Sequence, residues 1–242
     1  MTKQTYGQYC PVTKAAEVLG ERWTPLIVRN LLLHPHRFNE LERGLPGISR
    51  ALLVQRLHHL ERAGVVERRQ TATGRGVEYH MTQAGRELEQ VVNALAEWGA
   101  RWAFGEPEPD DLDPGLLLWW MRDGIDLAAL PSGRSVFQFD FRGQRGGCHW
   151  LVIEPDEVSV CLEHPRFDID LWVTADLAAW YKVWLGRMTL GQAMRDGLVE
   201  LEGPSDLVRA FPRCLKLSPF ADIVRKAHSP VSARTVLRDG YG

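Results

Sequence analysis

The sequence predicts a two-domain α+β protein: a mostly helical first half carrying one β-hairpin, then a second half with an antiparallel sheet covered by helices. Three observations predict it. Hydrophobic periodicity is helical up to Gly64, strand-like from Val65 to Met81, and helical again to Phe104. The stretch Gly105–Pro114 holds three prolines and five acids in ten residues, the composition of an extended linker (105–114). After it, strand-like runs dominate to about residue 174, and helices and strands then alternate.

The 242 residues suffice for two modest cores. Hydrophobic residues at 45% and charged residues at 25% exclude wholesale disorder. The net charge of −2 conceals an asymmetry: residues 1–104 carry 14 Lys/Arg against 10 Glu, and the remainder carries 15 against 21 acids. A mildly basic half joined to an acidic one fits a nucleic-acid module with a partner domain. The N-terminus lacks the apolar core of a signal peptide, and the run Leu116–Met121 is too short to span a bilayer, so a cytoplasmic location with no membrane partner is expected. Cys10, Cys148, Cys161 and Cys214 lie far apart without metal-ligand spacing, so neither a disulfide framework nor a metal or other cofactor is expected.

Element by element, Val12, Ala15, Ala16 and Leu19 stand at helical spacing before the stop Gly20. Thr24 can cap a second helix with Pro25 in its first turn, with Trp23 and Val28 as a hydrophobic staple. A short helix from Arg37 places Phe38 and Leu41 on one face and stops near Gly44. The segment Gly47–Gly64 carries most information: Ser49 caps it, Ile48 and Leu53 staple it, and Gly64 closes it. Leu53, Leu57 and Leu60 form its buried stripe, leaving Arg50, Val54, Gln55 and His58 outward, with Arg56 beside the stripe in a structural place. Residues 65–69 and 77–81 then make a hairpin whose turn carries Arg75 between Gly74 and Gly76.

Helices followed by a basic-tipped hairpin make a winged helix-turn-helix. A helix entering the major groove reads base edges with its first turns, and the wing rests on the backbone. Ser49, Arg50, Val54, Gln55, His58, Arg37 and Arg75 are therefore the candidate contacts with duplex DNA. Arg50 suits a guanine edge and Gln55 an adenine. The alternative is an amphipathic helix in a protein-interaction module. From Thr82 one long helix is expected to about Phe104, with Leu88, Val91, Leu95, Trp98 and Trp102 as a seam. Its partner is either the first helix or the same helix of a second copy, making a homodimer.

These residues resemble the HxlR family of winged-helix regulators. The motifs are Cys10-Pro11-Val12, Leu19–Thr24, Arg37–Leu41, Leu45–Ser49, Gln55-Arg56-Leu57, Leu60-Glu61, Gly64–Arg68 and Val77–Gly85, over roughly residues 9–104. The resemblance implies a cytoplasmic dimeric repressor or activator that binds operator DNA. Two departures stand out: Val54 in place of a polar residue, and a glycine-rich wing tip in place of a proline. Some members sense oxidants or electrophiles through a cysteine near the N-terminus, the place of Cys10, which makes a redox switch the second alternative.

In the second half, residues 115–228, a helix is expected over 114–130, strands over 136–141, 148–153, 158–162, 168–174 and 198–201, and helices over 176–185, 189–195 and 205–214, followed by a tail (229–242). Phe137, Phe139 and Phe141 alternate with Gln138 and Asp140, a half-buried pattern. Six of the nine tryptophans lie here, as core or as the wall of an apolar pocket. Trp119, Phe137, Phe139, Trp150, Trp180 and Trp184 are the candidate pocket residues. Residues 173–177, Leu185-Gly186, 188–190, Ala193, Gly197 and 201–203 resemble the sterol-carrier-protein-2 fold over about 134–220, which implies a small apolar or lipid-like effector. Catalytic constellations are absent, so an enzyme is not expected. The rival to a regulator is a lipid or small-molecule carrier.

Overall fold

The computed structural model describes residues 5–71 and 74–228. The expected tail, 229–242, lies outside the described residues. The chain divides into two compact units, Met1–Leu95 and Ala96–Gly242.

The first unit is built from α1 (Pro11–Leu19), α2 (Thr24–Leu33), β1 (His36–Arg37), α3 (Phe38–Arg43), α4 (Arg50–Arg62), β2 (Val66–Gln70), β3 (Val77–Met81) and α5 (Gln83–Arg86), with α6 (Glu89–Trp102) running on into the second. Its core joins Ile27, Val28 and Leu31 of α2, Leu41 of α3, and Leu53, Leu57 and Leu60 of α4 to Val66 and Met81 of the hairpin. Each buried aliphatic side chain contributes about 1.5–3 kcal/mol. The Ser49 hydroxyl caps α4 by accepting the Leu52 N–H at 3.2 Å, and Ile48 and Leu53 both enter the core, as a staple requires.

Four sequence expectations change here. Val12 and Ala15 face outward and Thr13 is the buried residue of α1, because the helix turns its Thr13–Ala16 side inward. Trp23, not Thr24, is the N-cap of α2, with a left-handed φ of 78°, and Thr24 begins the helix fully buried. The hairpin gains a third strand: β1 pairs antiparallel with β3 through His36↔Tyr79 and Arg37↔Glu78, giving the order β1-β3-β2. The single helix expected from Thr82 is two, α5 and α6, broken at Glu87-Leu88. The Thr82 hydroxyl accepts the Gly85 N–H at 3.1 Å and donates to the Gly64 carbonyl at 2.6 Å, tying α5 to the end of α4.

The second unit contains α7 (Pro114–Arg122), β4 (Ser135–Arg142), β5 (Gly147–Ile153), β6 (Val158–Cys161), β7 (Leu171–Asp176), α8 (Leu177–Trp184), α9 (Leu190–Arg195), β8 (Val199–Glu202), α10 (Ser205–Cys214) and α11 (Ala221–Ala227). The expected helix over 114–130 stops at Arg122, ahead of Gly124, and continues only as a 3-10 turn, Leu127–Ala129. The sheet order is β6-β5-β4-β7-β8. It is mixed and not antiparallel as expected: β4 and β7 pair in parallel from Phe137↔Leu171 to Arg142↔Asp176. A long connection through β5 and β6 permits this, as parallel neighbours need a crossover.

Period-two alternation sends Phe137, Phe139 and Phe141 to one face, where α7, α8 and α10 cover them. Val136, Trp150 and Val152 form a small cluster on the other. The acidic segment 105–114 is no free linker. Glu106 bonds Lys182 and Arg187 at 2.6 Å each, Arg187 donates to the Gly105 carbonyl at 2.7 Å, and Arg145 meets Asp110 at 2.8 Å. Two of its five acids, Glu106 and Asp110, thus pair with cations of the second unit, which composition alone does not show.

Candidate nucleic-acid interface

The exposed side of α4 is a direct consequence of its buried one. With Leu53, Leu57 and Leu60 within 1% of full burial, the 3.6-residue period turns Arg50, Val54, Gln55 and His58 to solvent. Arg50 is 64% exposed, yet engaged. It donates through Nη1 to Glu42 and through Nη2 to Asn39 Oδ1 at 3.2 Å, and its Cζ lies 4.8 Å from the Phe38 ring centre. Val54 is 42% exposed, a bare apolar surface on a polar face. His58 Nδ1 lies 3.0 Å from Glu61 Oε2.

Arg37 is the N-cap of α3, where its main-chain N–H donates to Glu40 Oε2 at 2.7 Å and its Nε lies 3.9 Å from Glu78. Arg75 is exposed between Gly74 (φ 68°) and Gly76 (φ 105°), left-handed values that glycine adopts without strain. Arg50, Val54, Gln55 and His58 thus share one helix face. Arg56 sits apart: its Nη2 binds Glu21 Oε2 at 2.7 Å, its Nε donates to the Arg22 carbonyl at 3.2 Å, and its side chain is only 12% exposed.

Sequence reasoning passed over Arg68 and Arg69 on β2, which are half exposed beside the tip, with Arg68 lying 5.9 Å from the Tyr79 ring. Burial raises the Tyr79 phenol above its ordinary pKa against the opposing pull of Arg68. Two adjacent arginines on a wing strand were the available signal. Glu42 and Asn39 were also missed, because only folding brings α3 against the start of α4.

In the seam, Leu88 packs with Val92 against the unit's own core, whereas Val91, Leu95 and Trp98 are 42%, 54% and 58% exposed and Trp102 is half-buried. Cys10 stands at the N-cap of α1, where the backbone N–H groups of Thr13 and Val12 lower its pKa.

The candidate pocket residues do not gather around one space. Phe137, Phe139 and Trp180 are fully buried in a packed aromatic core with Phe211, the Phe139 and Trp180 rings 5.8 Å apart. Trp184 stacks on Trp120 at 5.5 Å, Trp119 is buried with Arg122 4.8 Å from its ring, and Trp150 is on the opposite sheet face. A cavity of about 170 Å³ occurs instead among Pro107, Pro109, Leu112, Arg142, Arg145 and Leu177. Among the described residues no group of three or more His, Cys, Asp or Glu could hold a metal ion, and no helix is long and apolar enough to cross a membrane.

Helices, a well-capped α4 with a polar outer face and a three-stranded wing define a winged helix-turn-helix unit. A model of the HxlR-like helix-turn-helix family matches residues 18–106. The uncharacterized HTH-type transcriptional regulator YvaP of Bacillus subtilis is 37% identical over 97 residues, covering 39% of this chain and 90% of that protein. YkvN of the same organism, also named an uncharacterized HTH-type transcriptional regulator, is 32% identical over 112 residues, covering 45% and 95%. The solved reduced form of the B. subtilis transcriptional regulator YodB is 34% identical, covers 40% of this chain and 96% of that one, and has a TM-score of 0.36. The chain belongs to the HxlR-like helix-turn-helix family through its first unit. The relatives are named as transcriptional regulators, which are not enzymes.

Proposed function

We propose that the protein is a homodimeric DNA-binding transcription regulator that reads an operator with α4. The observation that carries this reading is the exposed face Arg50, Val54, Gln55 and His58 on a helix whose opposite side is fully buried. In the major groove, Arg50 pairs with a guanine edge, Gln55 with adenine, and Val54 with a thymine methyl. Ser49, Arg37 and Arg75 contact backbone, joined by Arg68 and Arg69. The exposed Val91, Leu95 and Trp98 support an isologous dimer through α6, which places two α4 helices on half-sites one helical turn apart.

The second unit serves as the effector domain of this reading, which rests on the resemblance of residues 134–220 to the sterol-carrier-protein-2 fold. The cavity walled by Pro107, Pro109, Leu112 and Leu177 supports a small, largely apolar effector better than the aromatic core does. The effector acts by binding the DNA-competent and DNA-incompetent states with different affinities. A second reading is favoured by Cys10: a thiol at a helix N-terminus with a lowered pKa suits an oxidant- or electrophile-responsive switch. Loss of DNA binding on peroxide treatment in the native protein, and not in Cys10→Ser, distinguishes it.

Fluorescence anisotropy on duplex DNA from upstream of the protein's own gene, against a scrambled duplex, tests the main reading. Preference of about 10³-fold with a steep salt dependence supports it. Absence of binding even at low salt refutes it.

A further inference from the structure

Arg50 does not project freely from α4. Glu42 takes its Nη1, Asn39 its Nη2, and Phe38 lies under its guanidinium, so three residues of α3 fix one side chain of the next helix. Glu42 is itself largely covered, at 28% exposure, while Arg50 keeps 64%. We propose that Glu42 and Asn39 are positioning residues for base reading: they orient the Arg50 fork and cancel its charge toward phosphates, so that α3 sets the discrimination delivered by α4. The inference rests on the DNA-binding reading above.

The physics separates two uses of an arginine. An unpaired guanidinium on a groove-facing helix is drawn to any phosphate, a term that is independent of sequence and steep in salt. A carboxylate beside it removes much of that attraction. The N–H groups not engaged by Glu42 and Asn39 remain donors, and guanine offers O6 and N7 as paired acceptors in the major groove. Stacking on Phe38 and the Asn39 bond hold the guanidinium plane, so less side-chain freedom is lost on meeting the base. The arrangement weakens indiscriminate binding more than it weakens binding to the right base.

The test uses full-length protein, a duplex enriched from a randomised library by the wild type, and a shuffled version of that duplex. Anisotropy titrations are run at several salt concentrations. Glu42→Gln is expected to bind the shuffled duplex about tenfold more tightly at low salt, with a salt slope steeper by about 0.9. Its affinity for the enriched duplex is expected to change by less than about threefold, so discrimination falls. Arg50→Gln removes both the charge and the fork, and in that background Glu42→Gln is expected to cause no further loss of discrimination.

Equal tightening on both duplexes, or no change on either, overturns the proposal. So does an undiminished Glu42→Gln effect in the Arg50→Gln background, which would mean that Glu42 acts on DNA by itself. A wild type that enriches no duplex sinks the DNA-binding reading and this inference together. A wild type that discriminates, with a Glu42→Gln variant that discriminates equally, sinks this inference alone.

Discussion

Arg56 of α4 and Glu21, in the turn between α1 and α2, form an ion pair of 2.7 Å across 35 residues of sequence. The same guanidinium donates to the Arg22 carbonyl, so it links α4 to both a side chain and the main chain of that turn. Arg56→Ala leaves two acceptors without their donor. It is expected to destabilise the first unit by about 1–3 kcal/mol. Urea unfolding followed by circular dichroism measures the loss, and discrimination between DNA sequences measured below the transition is expected to stay at the wild-type value.

Gly85 sets the close approach of α5 to the end of α4. A Cβ there would lie 2.2 Å from the Val65 carbonyl oxygen and 2.9 Å from Met81 Cε. The carbonyl is backbone and cannot swing aside. Gly85→Ala is expected to cost about 3 kcal/mol, seen as a lowered thermal midpoint, despite alanine's better helix propensity. A midpoint unchanged or raised would show that α5 relaxes without cost.

The exposed side of α6 gives a prediction about assembly. Leu95 and Trp98 present large apolar surfaces in the single chain. Simultaneous Leu95→Ala and Trp98→Ala is expected to weaken self-association by about 30-fold or more, the scale of one interface hot spot. Sedimentation equilibrium over a concentration series reads it directly. An unaltered association constant would place the dimer contact elsewhere.

Thiol chemistry separates by environment. Cys10 has its pKa lowered by backbone N–H groups, whereas burial pushes both Cys148 and Cys214 up to about 11, with Asp140 adding to the effect at Cys148. Alkylation by iodoacetamide near pH 8 is therefore expected at Cys10 first, mapped by peptide mass spectrometry. The folded pKa of Cys214 is raised, so the unfolded chain loses its proton earlier. Stability is then full below the ordinary thiol pKa and falls as pH rises toward about 11, by at most about 1.4 kcal/mol per pH unit. Cys214→Ala is expected to flatten that slope.

The parts of the fold legible in sequence were those with local, repeated signals. The α4 boundaries followed from Ser49, Gly64 and the Leu53–Leu57–Leu60 stripe, and the β2–β3 hairpin from its alternation and glycines. Elements set by distant partners were not legible. β1 is two residues long and exists because β3 offers an edge. The parallel β4–β7 pairing joins strands separated by a whole hairpin, and periodicity carries no direction. The α5–α6 break at Glu87-Leu88 interrupts a helical periodicity that runs through those residues without a sequence stop.

The same limit applied to the candidate interface. Helical spacing identified Arg50, Val54, Gln55 and His58 as one face, because spacing is local. That Arg50 would meet Glu42 and Asn39 depended on how α3 packs on α4. The aromatic residues of the second unit illustrate the converse: alternation placed Phe137 and Phe139 inward correctly, but inward meant a packed core shared with Trp180 and Phe211.

Selection of randomised duplexes by the full-length protein, followed by sequencing, tests the central claim most directly. The account predicts enrichment of a two-fold-symmetric motif with half-sites about 10 base pairs apart, centre to centre. It also predicts that the enrichment is lost when Arg50 and Gln55 are both alanine. A retained pool no different in sequence from the input would contradict it.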